Sequence, residues 1–141
     1  MTTIPFGTQL IGRTEKALNA ILERHLAGTG ITEPQWVALT LTVTSGGTLP
    51  EAAVVDRIRQ AQQVDAATAA ERVAELTAAG LVRTAADGTL AATERGTAQW
   101  SSVRAATGRV TEQLWGDLPE AELAVAARVL NTVLTRTDDV R

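Results

Sequence analysis

Cysteine is absent from the 141 residues. This excludes disulfide frameworks, thiolate metal sites and thiol nucleophiles, and it fits a reducing compartment. No apolar run approaches the roughly 20 residues that cross a bilayer. The N-terminal stretch MTTIPFGTQLIGR also lacks a basic region ahead of an apolar one. No membrane contact and no secretory leader are therefore expected, and the expected location is the cytoplasm. A Gly-rich phosphate loop, a nucleophile elbow, an HExxH pair and an EF-hand loop are all missing, so an enzyme is not expected and no metal or cofactor is called for. Glu71 and Glu75 lie one helical turn apart, a spacing that more often marks a solvated face than acid–base chemistry. Nor is there a repeat, a low-complexity tract or a linker, so residues 1–141 read as a single domain able to bury a core.

Charge is scarce in one respect. The formal net charge is −3, which argues against a blanket nucleic-acid coat but permits a local basic surface. From Thr48 to Gly96 five arginines stand against seven acids, a poor balance for a DNA-binding half. Twelve of the thirteen basic residues are arginine, whose planar fork pairs bidentately with phosphate or guanine.

Helical periodicity then organises the chain. Leu10, Ile11, Leu18, Ile21, Leu22 and Leu26 recur at three and four, predicting a first amphipathic helix that ends at Gly28 or Gly30. His25 lies on its apolar stripe and, as the only histidine, reads as packed or interfacial rather than as a ligand. ITEPQWVALTLTV opens with capping-box spacing at Thr32 and Gln35 and is apolar nearly all round, so a second, central helix is expected, ending at Ser45-Gly46-Gly47. A third helix is expected to open with a capping box, Thr48 with Glu51, and to turn Ala52, Val55 and Ile58 inward.

The stretch Val64–Gly96 carries the strongest signal. Asp65 suits the cap of a fourth helix, Ala69, Val73 and Leu76 form its inward row, and Gly80 stops it. Thr68, Glu71, Arg72 and Glu75 are expected outside, with Ala67 near the start. Leu81–Ala86 and Thr89–Thr93 flank Asp87-Gly88, which predicts a short type I′ hairpin. A helix, a glycine stop and a hairpin in succession suggest a recognition helix followed by a β-wing.

Beyond the hairpin, Thr93 can cap a helix carrying Trp100, Val103, Thr107, Val110 and Leu114 as a helix-pairing seam. A third capping box is expected at Asp117–Glu120, opening a last helix with Leu123, Ala126, Ala127, Leu130 and Leu134 on one face. The three tryptophans read as core. Trp36 and Trp100 are also candidates to line a ligand pocket, because they fall where a central helix meets a pairing helix.

This order of parts resembles the MarR family of winged-helix transcriptional regulators. The likeness rests on TEPQWVALTLTV, on VDAATAAERVAELTAAGLVR and on ATERG after the wing, and it covers nearly the whole chain. It implies a mainly α fold with a small β-wing, whose winged helix-turn-helix part spans 32–96 and whose helices at 7–28 and 97–138 form a dimerisation region. It further implies a homodimer that reads a pseudo-palindromic operator in double-stranded DNA, usually as a repressor, and often one released by a small aromatic ligand. Carried over by position, Thr68 and Arg72 would face the groove, Ala67 would allow close approach and Arg83 would meet phosphate. Two departures stand out. The wing segment TAADGTLAAT has no basic residue, and Glu71 occupies a place where the family commonly has a basic one. An acid there is repelled by phosphates unless it accepts from a cytosine amino group. The alternative reading is a winged-helix dimer with weak or lost DNA binding that serves as a protein-interaction or small-molecule-binding module.

Overall fold

The computed structural model describes residues 3–141, so Met1 and Thr2 of the N-terminal stretch lie outside the described residues. Six helices and two strands follow in the order α1 (Thr8–Leu26), α2 (Glu33–Thr44), α3 (Glu51–Gln62), α4 (Ala66–Ala78), β1 (Val82–Thr84), β2 (Leu90–Ala92), α5 (Glu94–Trp115) and α6 (Glu120–Asp139). The chain is mainly helical with one small antiparallel hairpin. It divides into two compact units, Met1–Thr107 and Gly108–Arg141.

In the first unit α2 is central, touching α1, α3, α4 and β2. Its start is fixed by a full capping box. Thr32 Oγ1 accepts from the Gln35 amide at 3.3 Å, and Gln35 Oε1 accepts from the Thr32 amide at 3.1 Å. Trp36, Ala38, Leu39 and Thr42 are buried along it, and Thr42 satisfies its hydroxyl by donating to the Ala38 carbonyl at 2.9 Å. Ile58 of α3, Leu76 of α4, Leu90 of β2 and Val103 of α5 complete the core around it. His25 is half-buried on α1.

The other two expected capping boxes do not form. Pro50 and Pro119 take the caps of α3 and α6, with no side-chain cap bond at either. The reason is visible at Thr48. Leu49 and Pro50 run extended beside the wing, where the Leu49 carbonyl accepts from the Leu90 amide at 3.0 Å and Pro50 bridges Thr89. Glu51 therefore becomes the first residue of α3 rather than the third, and its amide donates to the Gly88 carbonyl at 3.1 Å. The inward row of α3 shifts with it. Val54 and Ile58 are buried, while Ala52 is exposed and Val55 only partly covered.

In the second unit no residue of α6 is buried. Leu130 is 45% and Leu134 65% exposed, and Val125, Val129 and Val133 are exposed beside them. The expected apolar row is broadened by the valines, and of its members only Leu123 is partly covered. Trp115, expected in a core, is 40% exposed.

Candidate nucleic-acid interface

Helix α4 is delimited at both ends by the chemistry its sequence suggests. Asp65 accepts from the Thr68 amide at 2.8 Å, and the Thr68 side chain first, with this amide second, holds the Asp65 carboxyl below its ordinary value. At the other end Gly80 adopts φ +75°, the Leu81 amide donates to the Leu76 carbonyl at 3.0 Å, and the Gly80 amide donates to Thr77 at 3.0 Å. This paired closure needs a left-handed residue, which glycine supplies without a Cβ clash. Leu81 and Val82 then enter the core and lead straight into the hairpin.

The hairpin pairs Val82 with Ala92, Arg83 with Ala91 and Thr84 with Leu90. Its turn differs from expectation. A type I′ turn needs positive φ at two central residues, yet Asp87 is not left-handed and only Gly88, at φ +87°, is. The Gly88 amide donates to the Ala85 carbonyl at 2.9 Å and the Ala85 amide to the Thr89 carbonyl at 2.8 Å, making a three-residue loop with a left-handed glycine at its end. Asp87 accepts from the Thr89 hydroxyl at 2.7 Å and amide at 3.0 Å, which lowers its carboxyl below the usual range. The Asp-Gly signal located the turn but not its type, because a type I turn closed by glycine uses the same dipeptide.

The end of the wing is tied back to α4. Thr93 donates to the Gly80 carbonyl at 2.7 Å and accepts from the Gly96 amide at 3.0 Å, so one hydroxyl joins the stop of α4 to the start of α5. Gly96 is buried, and a Cβ there would stand 1.9 Å from the Leu81 carbonyl oxygen. The glycine of ATERG is thus required by close backbone approach.

The exposed face of α4 matches expectation at Ala67, Glu71 and Glu75 and departs from it at Thr68 and Arg72. With Ala69, Val73 and Leu76 inward, the residues opposite at helical spacing are Ala67, Glu71, Ala74 and Ala78, all exposed. Thr68 and Arg72 lie on the flank toward α2 and are half-buried. Arg72 Nη1 donates to Glu75 Oε1 at 3.3 Å, and the same oxygen accepts from Gln35 Nε2 at 3.4 Å. Arg72 Nε is buried with no acceptor, a state that costs about 1–3 kcal/mol when a buried donor goes unmet. Placing Arg72 outward missed this because a helical period locates a Cβ, not the end of a long side chain. Among the described residues the Glu71 side chain meets no hydrogen-bond or ion-pair partner, and neither does the exposed Arg83 side chain on β1. A groove of about 410 Å³ runs between α3, α4 and β1, lined by Glu51, Val55, Ala70, Val73, Ala74 and Thr84 among others. One side of it is set by the Thr84 hydroxyl, which donates to Glu51 Oε1 at 2.9 Å.

Trp36 and Trp100 are brought together. Their rings stack with centroids 6.3 Å apart and planes 17° from parallel, and Trp100 Nε1 donates to Thr40 Oγ1 at 3.0 Å. Neither ring lines the groove beside α4. A second depression, of about 360 Å³, lies at the α1–α2 turn and includes Glu23, Leu26, Ile31 and Glu33. Burial raises the Glu33 carboxyl above its ordinary value, with repulsion from Glu15 and Glu23 adding to the shift. Among the described residues no cluster of His, Cys, Asp or Glu is placed to hold a metal ion, and no helix is long and apolar enough to cross a membrane.

A central helix, a helix pair, a capped fourth helix and a two-stranded wing define the MarR-type winged-helix fold. Solved structures agree. The chain resembles the transcriptional regulator PA3341 at 23% identity, over 93% of this chain and 97% of that one, with a TM-score of 0.74. MarR from E. coli in its reduced form aligns at 21% identity, over 94% and 96%, with a TM-score of 0.66. CouR from Rhodococcus jostii RHA1, solved bound to p-coumaroyl-CoA, aligns at 17% identity, over 89% of each chain, with a TM-score of 0.75. No family model and no curated protein matches the sequence.

Proposed function

We propose that the protein is a transcriptional regulator that binds double-stranded DNA as a homodimer in the cytoplasm. The observation that carries this reading is α4 itself, a helix capped by Asp65, closed at Gly80 and fastened by Thr93 to a wing, with a ridge of small exposed residues that lets its backbone enter a major groove. Ala67, Thr68, Glu71 and Arg72 are its DNA-facing residues, and Arg83 reaches phosphate from the wing base. Residues 32–96 form the reading part, and helices within 7–28 and 97–138 form the dimerisation region. The uncovered apolar face of α6 supports a second copy as its cover. Two copies then read the halves of a pseudo-palindromic operator and repress the gene beside it. A small aromatic effector that releases DNA is bound at Trp36 and Trp100, whose stacked rings support the reading.

The test is a mobility shift of the purified protein on its own upstream DNA, repeated across salt and with candidate aromatic ligands. Binding that weakens steeply as salt rises is expected, since each phosphate contact releases condensed counterions. Absence of any specific shift at low salt sinks the reading. A specific observation favours one alternative, a winged-helix dimer that binds protein or small molecules instead of DNA. The α4 ridge carries Glu71 and no base, and the wing tip carries Asp87 and no base. In that case tryptophan fluorescence responds to ligand while no duplex is bound.

A further inference from the structure

We propose that Arg72 is a DNA contact parked against the protein, and that Glu75 is the internal competitor that holds it there; this rests on the DNA-reading function above. A guanidinium that grips phosphate or guanine uses two N–H groups along one edge. In this structure the edge of Arg72 that includes Nε is closed. Nη1 is engaged with Glu75 Oε1 at 3.3 Å, and Nε is buried without an acceptor. The side chain must therefore leave its present position to grip DNA by that edge.

Leaving is easy, because the hold is weak. The pair is long, it uses a single carboxylate oxygen that Gln35 shares at 3.4 Å, and its side chains are 23% and 42% exposed. Departure also relieves the unmet Nε. Nothing else on α4 can do this work, since Arg72 is its one basic residue. The carboxylate that parks Arg72 has the same sign as the phosphates that would take it. DNA binding thus becomes an exchange of one anion for another, and Glu75 sets its cost.

The experiment measures duplex affinity at several salt concentrations for the wild type, Glu75→Gln, Arg72→Ala, the double variant and Glu71→Gln, on a labelled duplex from the upstream region. Glu75→Gln is expected to tighten binding about two- to fivefold, the range spanned by one exposed ion pair. The gain should vanish when Arg72 is alanine. Glu71→Gln, which removes the same charge from an acid that makes no ion pair, calibrates the gain from bulk charge alone, and the Glu75→Gln gain should exceed it. The proposal is overturned if Glu75→Gln loosens binding as Arg72→Ala does, since Glu75 would then support the bound pose. It is equally overturned if the gain survives without Arg72, since only bulk charge would be at work. If neither the wild type nor Glu75→Gln binds any duplex at low salt, the DNA-reading function falls and the proposal falls with it. Duplex binding without the Glu75 effect removes the proposal alone.

Discussion

The two compact units make opposite use of the same kind of residue. Every fully buried apolar side chain among the described residues, from Leu26 to Val103, belongs to Met1–Thr107. Of the eleven large apolar side chains left exposed, nine belong to Gly108–Arg141. Burial of apolar area is the main favourable term in folding. The first unit therefore has a buried core, whereas the second has the sequence of a packed helix with most of its large apolar side chains exposed. An amphipathic helix says that a face will be covered. It does not say by which chain.

The largest effect should come from the tightest point of the first unit. Gly96→Ala places a Cβ against the Leu81 carbonyl, so the strand or the α5 start must move, at roughly 3 kcal/mol or more. Loss of the cooperative melting transition in circular dichroism is expected, and a melting curve like the wild type's would refute the close approach.

The same logic, turned to the second unit, gives an effect on assembly instead of on the core. Leu130→Glu combined with Leu134→Glu should convert the proposed dimer to a monomer in sedimentation, while the wing and α4 amides stay protected from exchange. An unchanged sedimentation coefficient would mean that α6 is covered by something other than a second copy.

A smaller change tests the joint at Thr93. Thr93→Ala removes the cap of α5 and the bond to Gly80 together, and a loss of about 1 kcal/mol in denaturant unfolding is expected. Trp100→Phe should cost a similar amount through the lost Thr40 bond while keeping the stack, so a loss several times larger would show that the indole packing matters more than its N–H.

The smallest effect depends on pH. Because the Glu33 carboxyl is raised, the folded state favours its protonated form. Stability from this group is present below the unfolded value of 4.5 and declines as pH rises through the raised folded value. Glu33→Gln should therefore melt slightly higher than the wild type at neutral pH and equal to it in acid below that value. A stabilisation that persists unchanged in acid would assign the effect to something other than ionisation.

How much of this was legible in the sequence follows from how local each signal is. The Thr32–Gln35 box, the Asp65 cap and the Gly80 stop involve residues within one turn of each other, and all three form as expected. Thr48 and Glu51 have the same spacing as Thr32 and Gln35, yet that box fails because Leu49 and Pro50 are drawn into pairing with a hairpin some forty residues later, a competition no local window contains. The inward row of α3 moved for the same reason. In the candidate interface the bounds of α4 were legible, but the position of its one arginine side chain was not. Arg72 is turned aside by Glu75, whose carboxylate oxygen also accepts from Gln35 of another helix, and the ridge of Ala67, Glu71, Ala74 and Ala78 is what remains.

The extended pair Leu49-Pro50 has one more consequence, for how the wing meets other molecules. A two-stranded hairpin presents open backbone edges onto which a foreign strand can add. Along β2 that edge is already occupied by Leu49 and Pro50, and the occupying segment ends in a residue with no N–H to offer. Growth of the sheet on that side stops at the proline. The hairpin is thereby closed to strand addition along β2.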